Sequence, residues 1–373
     1  MQARQGAAIN KMSHLRASLK TAASYGLRLT GMDRLIGTLT GMSRIPSVIS
    51  YHRVVEDLEK SSRSSISPML ISTRMFEQHL DWIGRHYEFV SLDQIGDRLG
   101  STRPTAAIAF DDGYADVYHH AFPLLVKKGI PATVFVVTGL VGTQQMQIHD
   151  NLYLLLQSAF SNERQTSRQV VELLRDADIV MPGMETIGRM QPNAFSLMAA
   201  LLDRVPQTEV RRMIQVLEAR FGLGESHDDG LSSLSWEMLE EMKSAGMTIG
   251  SHTRTHPLLT NESREKVIEE TTRSRRDLED RLCMKVQHFA YPDGRYNPDA
   301  IAAVAAAGYR FAYGTCRQRD PEYPLMTIPR KVLWEKSSVD SGGRFSSAMM
   351  ACQMNWVFDL GSNCAHDHGP RTQ

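Results

Sequence analysis

The 373-residue chain carries 42 basic and 42 acidic residues, so its charges cancel and no bulk attraction to nucleic acid or membrane follows from composition. The length allows two domains, yet α/β barrels of similar size form one, and 42% hydrophobic residues suffice for a sizeable core. Four cysteines, Cys283, Cys316, Cys352 and Cys364, lack a Cys-x-x-Cys spacing, which argues against a zinc ribbon or disulfide framework and for reduced thiols in a cytoplasmic setting.

Residues 1–45 form a basic leader in which Arg4, Lys11, Arg16, Lys20, Arg28, Arg34 and Arg44 face only Asp33. No continuous apolar stretch marks a secretory signal or a membrane span. Leucines and alanines interspersed with the charges read as an amphipathic helical arm. Such an arm can pack on the protein, lie on an anionic lipid surface, or serve as an organellar presequence.

Ser47–His52 reads as the first strand of a domain spanning 46–336, and it ends in Tyr51-His52-Arg53. Residues 76–86 read as a helix with Phe76, Leu80 and Ile83 on one face. The stretch Ala106-Ala-Ile-Ala-Phe-Asp-Asp-Gly113 is an apolar run that stops at two carboxylates. Desolvating an unpaired carboxylate is costly, so the strand must end there. Its carboxyl end is the edge of a parallel α/β fold where ligands gather. A helix over 115–128 and a strand over 131–137 follow. The grammar of helix, glycine and apolar strand recurs at Gly129, Gly246 and Gly308, and it predicts parallel strands with crossover helices, hence an α/β barrel.

Residues 144–230 break that rhythm with helical patterns over 152–160, 170–175 and 208–221, then a glycine-bounded loop at 222–230 expected to be mobile. The stretch reads as an insert on the loop face of the barrel. His149 and Asp150, at its start, read as a solvated pair that can also reach the site. Met247-Thr-Ile-Gly-Ser-His252-Thr-Arg-Thr-His256-Pro is a second apolar run with a polar end. Its two histidines four apart have metal-ligand spacing, and joined to an aspartate they give a two-His-one-carboxylate set. A helix over 263–282, capped by Asn261 or Ser263, follows. Val286–Tyr296 is a third strand end, carrying Tyr291, Pro292, Asp293, Gly294 and Arg295. Met326–Arg330 is a late strand. Residues 337–373 read as a loosely packed tail in which His366 and His368 are not ligands.

These stretches resemble the polysaccharide deacetylases with a NodB homology domain. Ala109–Gly113 resembles the family's first motif, His252–His256 its His-[Ser/Thr]-x-x-His motif, and Phe289–Gly294 occupies the place of its third. The opening Tyr51-His52 is similar to the poly-N-acetylglucosamine deacetylase subgroup. The resemblance covers roughly 46–333 and implies a distorted (β/α) barrel with a helical insert. It further implies hydrolytic removal of acetyl groups from a polysaccharide, oligosaccharide or glycolipid. Asp112, His252 and His256 would hold a divalent metal, zinc first, with cobalt, nickel or iron accepted by the same ligands. Asp111 would be the general base.

Two departures stand out. Ala290 sits where the family carries a base-orienting arginine, and Leu325–Arg330 offers no histidine acid. Arg295, Arg330 and His52 are the candidates for those roles, and Tyr291 through Arg295 for substrate or oxyanion contacts. A cyclic amidase on the same fold and a glycan-binding scaffold are the alternatives. The partners implied are an acetylated glycan or glycolipid and, through the arm, a membrane surface on the cytoplasmic side, with no nucleic acid.

Overall fold

The computed structural model describes residues 2–41, 45–98, 103–161, 163–222 and 230–361, with side chains from Leu15 onward. The strands are β1 (Ser47–Tyr51), β2 (Arg53–Val55), β3 (Leu70–Ser72), β4 (Glu88–Phe89), β5 (Thr105–Phe110), β6 (Ala132–Val136), β7 (Thr248–Ser251), β8 (His288–Ala290), β9 (Phe311–Gly314) and β10 (Ile328–Val332). Seven of these, in the order β1-β10-β9-β8-β7-β6-β5, pair in parallel, and β5 pairs back to β1 to close a barrel. Strand β4 adds only to the start of β5, while β2 and β3 form a separate parallel ribbon. The expected α/β barrel is present.

Alternation along the strands decides what the barrel holds. Val48, Ala107, Ala109, Phe135, Ala290, Phe311, Tyr313 and Ile328 fill the interior. Ile49, Tyr51, Ala106, Ile108 and Phe110 face the surrounding helices. Side chains two apart share a face, so the inward rows Val48–Ser50–His52, Ala107–Ala109–Asp111 and Ile328–Arg330–Val332 carry polar groups to the carboxyl end. Register aligns them. Tyr51 pairs with Phe110, and the Asp111 amide donates to the Tyr51 carbonyl at 2.9 Å. The glycines that close the crossover helices adopt positive φ at Gly129, Gly246 and Gly308, as the repeated pattern predicts.

The insert forms helices at Ile148–Ser161, Ser167–Asp176, Met184–Gly188, Ala194–Leu202 and Gln207–Phe221. They bury a core of their own that includes Leu155, Leu174, Leu201, Met213 and Leu217. Of the predicted loop 222–230, residues 223–229 lie outside the described residues, as do His366 and His368.

Two expectations need correction. Residues after Lys336 are not a loose tail as far as they are described. Helix Ser347–Met354 is buried along its length, and Met350, Ala351 and Met354 join the main core. Its alanines and methionines carry little amphipathic signal because both faces are covered. This helix is also where the N-terminal helix Gln2–Thr30 packs, Ser24 Oγ lying 3.1 Å from Met349 Sδ, and Asn355, just past its end, donates to Asp33 of helix Met32–Leu39 at 3.2 Å. Finally, Cys283 and Cys352 are free thiols, but Cys316 is disulfide-bonded.

Candidate active site

The polar groups at the strand ends meet in one cavity of about 380 Å³. His52, Asp111, Asp112, His252, His256 and Arg330 line its floor, with Asp293, Gly294 and Arg295 at the side. Two of the predicted contacts are elsewhere. Tyr291 is fully buried among Phe289 and Tyr296, and Pro292 is buried beside it. Neither lines the cavity.

The adjacent aspartates reach the same space because the chain turns at once. Asp112 itself takes φ 68° and Gly113 φ 72°. Asparagine and aspartate tolerate this region better than most side chains. At Gly113 an added Cβ would sit 2.9 Å from Val136 Cγ1, so glycine is required there for space as well as conformation. The histidine loop is shaped in a similar way, with Thr253 at φ 67° and His256 at φ 61°. The buried Glu270 carboxylate holds this loop, accepting from the Arg254 and Thr255 amides at 2.8 Å each and from Thr255 Oγ1 at 2.7 Å.

The two aspartates have different company. Asp112 Oδ1 lies 3.4 Å from His252 Nε2 and 3.2 Å from His256 Nε2. The three ligand atoms all fall within 4.8 Å of one another. His252 Nδ1 is 2.7 Å from the Ala290 carbonyl, which can only accept, so Nδ1 bears the hydrogen and Nε2 turns its lone pair toward Asp112. Asp112 Oδ1 is buried and receives no hydrogen bond. A buried carboxylate oxygen without a hydrogen bond, facing one imidazole lone pair and lying beside a second imidazole, is a cation-binding set, and the residues fit a divalent metal. Burial acts to raise the Asp112 carboxyl, but the imidazoles outweigh it and hold it well below the usual carboxylate range. In His252 burial wins and lowers the imidazole. In His256 the effect of burial is overcome by Asp112, and the imidazole is raised.

Asp111 turns instead to Arg330, whose Nη1 donates to Oδ1 at 2.5 Å, both side chains being buried. Arg330 also reaches Ser50 Oγ at 3.4 Å and lies over the Phe135 ring. The second carboxylate oxygen, Oδ2, is 3.9 Å from His52 Nε2. His52 Nδ1 is buried without a hydrogen-bond partner. Arg295, the other arginine proposed to orient the base, does not contact Asp111. It pairs with Asp203 of the insert and with Asp293.

The insert contributes more than its sequence suggests. His149 and Asp150 are buried, not a solvated pair. His149 lines the cavity, 3.9 Å from Asp112 Oδ2, and burial pushes it down to about 3. The Tyr114 hydroxyl donates to Asp150 at 2.5 Å and lies 3.0 Å from His149 Nε2. Burial raises Asp150 to about 6. Phe195, Met198, Leu202 and Val205 add an apolar wall above the polar floor. Only the proximity of His149 to the start of the insert hinted at this in the sequence.

Residues 99–179 and 198–312 match the family model for polysaccharide deacetylase. The chain belongs to the polysaccharide deacetylase family. A poly-beta-1,6-N-acetyl-D-glucosamine N-deacetylase of Staphylococcus aureus is 33% identical over 88 residues, 22% of this chain and 30% of that protein. The Bacillus subtilis protein YxkH is 25% identical over 124 residues, 32% of this chain and 41% of YxkH. The match therefore spans less than half the length of these relatives. Among solved structures, IcaB from Ammonifex degensii aligns with a TM-score of 0.51 at 21% identity, covering 84% of this chain and 97% of that one. BC0361, a polysaccharide deacetylase from Bacillus cereus, aligns at 0.50 and 16% identity, covering 82% and 69%. These two likenesses speak to the fold, the barrel of polysaccharide deacetylases.

Proposed function

We propose that this deacetylase hydrolyses the acetamide of N-acetylated hexosamine units in a glycan, with a divalent metal held by Asp112, His252 and His256. The observation that carries the reading is the division of labour between adjacent aspartates on one cavity floor. Asp112 joins two imidazoles, and Asp111 joins Arg330 and His52. A metal at the three ligands, zinc being the first choice, supplies Lewis acidity that polarises the acetyl carbonyl and lowers the pKa of water.

Arg330 fixes one oxygen of Asp111 and leaves Oδ2 for the attacking water. Asp111 takes the proton of that water as it adds to the acetyl carbon. The departing amine needs a proton in turn, because an unprotonated amide nitrogen is a poor leaving group. His52, whose Nε2 lies 3.9 Å from Asp111 Oδ2 on the neighbouring strand end, gives it. The apolar wall from Phe195 to Val205 covers the non-polar face of a sugar ring or the acetyl methyl group. The S. aureus relative's action on poly-N-acetylglucosamine supports the choice of substrate class.

The test is acetate release from a panel of N-acetylglucosamine oligomers and O-acetylated glycans, with and without a chelator. Release from the N-acetylated set that stops on chelation and returns with zinc supports the reading. Release that ignores the chelator, or is confined to O-acetylated glycans, refutes it.

A further inference from the structure

The end of the barrel opposite the candidate active site has a cavity of its own, about 400 Å³. Pro46, Ser47, Pro104 and Thr105, at the starts of β1 and β5, belong to its wall. So do Arg28, Arg34, Arg98 and Arg103, together with Trp82 and His86, and no carboxylate side chain is among the described lining residues. Glu88 lies 3.5 Å from Arg98 and 3.0 Å from Arg103, and Asp33 lies 3.4 Å from Arg28. Among the described residues, Glu88 and Asp33 are the carboxylates paired with these four guanidiniums. In a chain whose charges cancel overall, this is a local basic centre suited to an anion.

Beside it lies apolar surface that is exposed among the described residues. On helix Gln2–Thr30, Leu15, Leu19, Ala22, Gly26 and Leu29 recur at intervals of four and three, so they share one face. All five are exposed, Leu29 by 86%. The opposite face holds the residues that touch the protein, Ser24 on Met349 and Lys20 over Phe358. On the next helix, Met32–Leu39, the residues Met32, Leu35 and Leu39 form a second exposed face, Leu39 by 76%. Its flank turns Arg34, Gly37 and Thr38 into the basic cavity.

We propose that this end of the molecule docks on an anionic lipid bilayer, the leucines entering the acyl boundary and the arginine cavity taking a phosphate headgroup. Exposed leucines flanked by arginine and lysine are the composition that binds such an interface. Charge selects this occupant over a second copy of the chain, because a two-fold contact would set this arginine cluster against its own like. No described helix is long and apolar enough to cross a membrane. The active-site cavity then faces away from the lipid.

The test is co-sedimentation of the full chain with vesicles of equal parts phosphatidylglycerol and phosphatidylcholine, against phosphatidylcholine alone. Binding to the anionic vesicles that weakens with salt is expected. The Leu29→Ser/Leu39→Ser variant lowers it about tenfold or more. Arg34→Gln/Arg98→Gln lowers it roughly fivefold per charge and removes the preference for anionic lipid. Circular dichroism establishes that each variant is folded. Equal binding to both vesicle types, or unchanged binding by the folded leucine variant, overturns the proposal. So does binding of inorganic phosphate without binding of vesicles, which marks a free-anion site. A dimer that the leucine variant converts to monomer, with no vesicle binding by either, assigns the face to a second copy.

Discussion

The barrel floor and the insert wall of the active-site cavity were written in the sequence with unequal clarity. On the floor, His52, Asp111 and Arg330 each continue an inward row of alternating residues, and His252 directly follows β7. A closed barrel leaves such a row one direction to point, so an odd polar residue at its end must enter the cavity. On the wall, His149, Phe195, Met198 and Leu202 sit on helices. A helix pattern says that one face is buried but not against what. Here the same helices serve both the insert's own core and the cavity. Position on a strand of a closed sheet carries information about chemistry, whereas position on a packed helix mostly does not.

The largest effect expected on the floor is that of Asp111→Asn. The amide keeps the shape and can still accept from Arg330, so the fold and metal affinity hold while turnover falls about 100- to 10,000-fold. Metal titration alongside acetate release checks it. Loss of metal with residual turnover restored by excess metal would show that the aspartates trade roles.

His52→Ala probes the neighbouring row. On the proposed role of His52 as acid, its removal lowers turnover on an acetamide by roughly 100-fold and much less on an activated acetyl ester, whose leaving group needs no proton. The pair of rates is the readout, and equal losses on both substrates reassign His52 to positioning.

The wall is expected to matter less to the reaction. His149→Ala removes a buried neighbour of Asp112 and Tyr114 at a cost of about 1.4 kcal/mol, or roughly tenfold in turnover. Steady-state kinetics with metal at saturation tests this. A loss as large as that of Asp111→Asn would erase the distinction between floor and wall and make the insert part of the chemistry.

What was legible follows from this. Asp111, Asp112, His252 and His256 stand at ends of short apolar runs, where local sequence reports both the strand and its termination. That Arg330, not Arg295, meets Asp111 depends on β10 lying beside β1, and only barrel closure settles that neighbourhood. Arg295 is instead taken by Asp203, a partner from the insert that no motif announces. The buried pair His149 and Asp150 read as solvated because two polar residues before a helix ordinarily are. The helix Ser347–Met354 read as loose because its partners come from the opposite terminus, 325 residues away in the case of Ser24 and Met349.

That last helix belongs to a segment whose place in the core has a pH signature. His79, on helix Thr73–His86, is fully buried, with the Tyr51 hydroxyl 3.1 Å from Nδ1 and Ser338 Oγ 2.6 Å from Nε2. Ser338 lies in the stretch that reads as a loose tail. Burial pushes His79 from its ordinary 6.5 down to about 3. The unfolded chain therefore binds a proton between these values that the folded one refuses, and stability rises with pH across that window. The contribution is whole above pH 6.5 and is lost progressively as pH falls toward 3. At pH 5 the loss is about 2 kcal/mol, a few degrees in Tm. His79→Gln keeps a donor and an acceptor but cannot titrate. Its Tm lies below that of the wild type at pH 7, and the gap closes on acidification as the wild type alone pays the protonation cost. Parallel curves would mean that water reaches His79 and that the Ser338 segment lifts off the barrel, leaving the C-terminal region looser than its packing indicates.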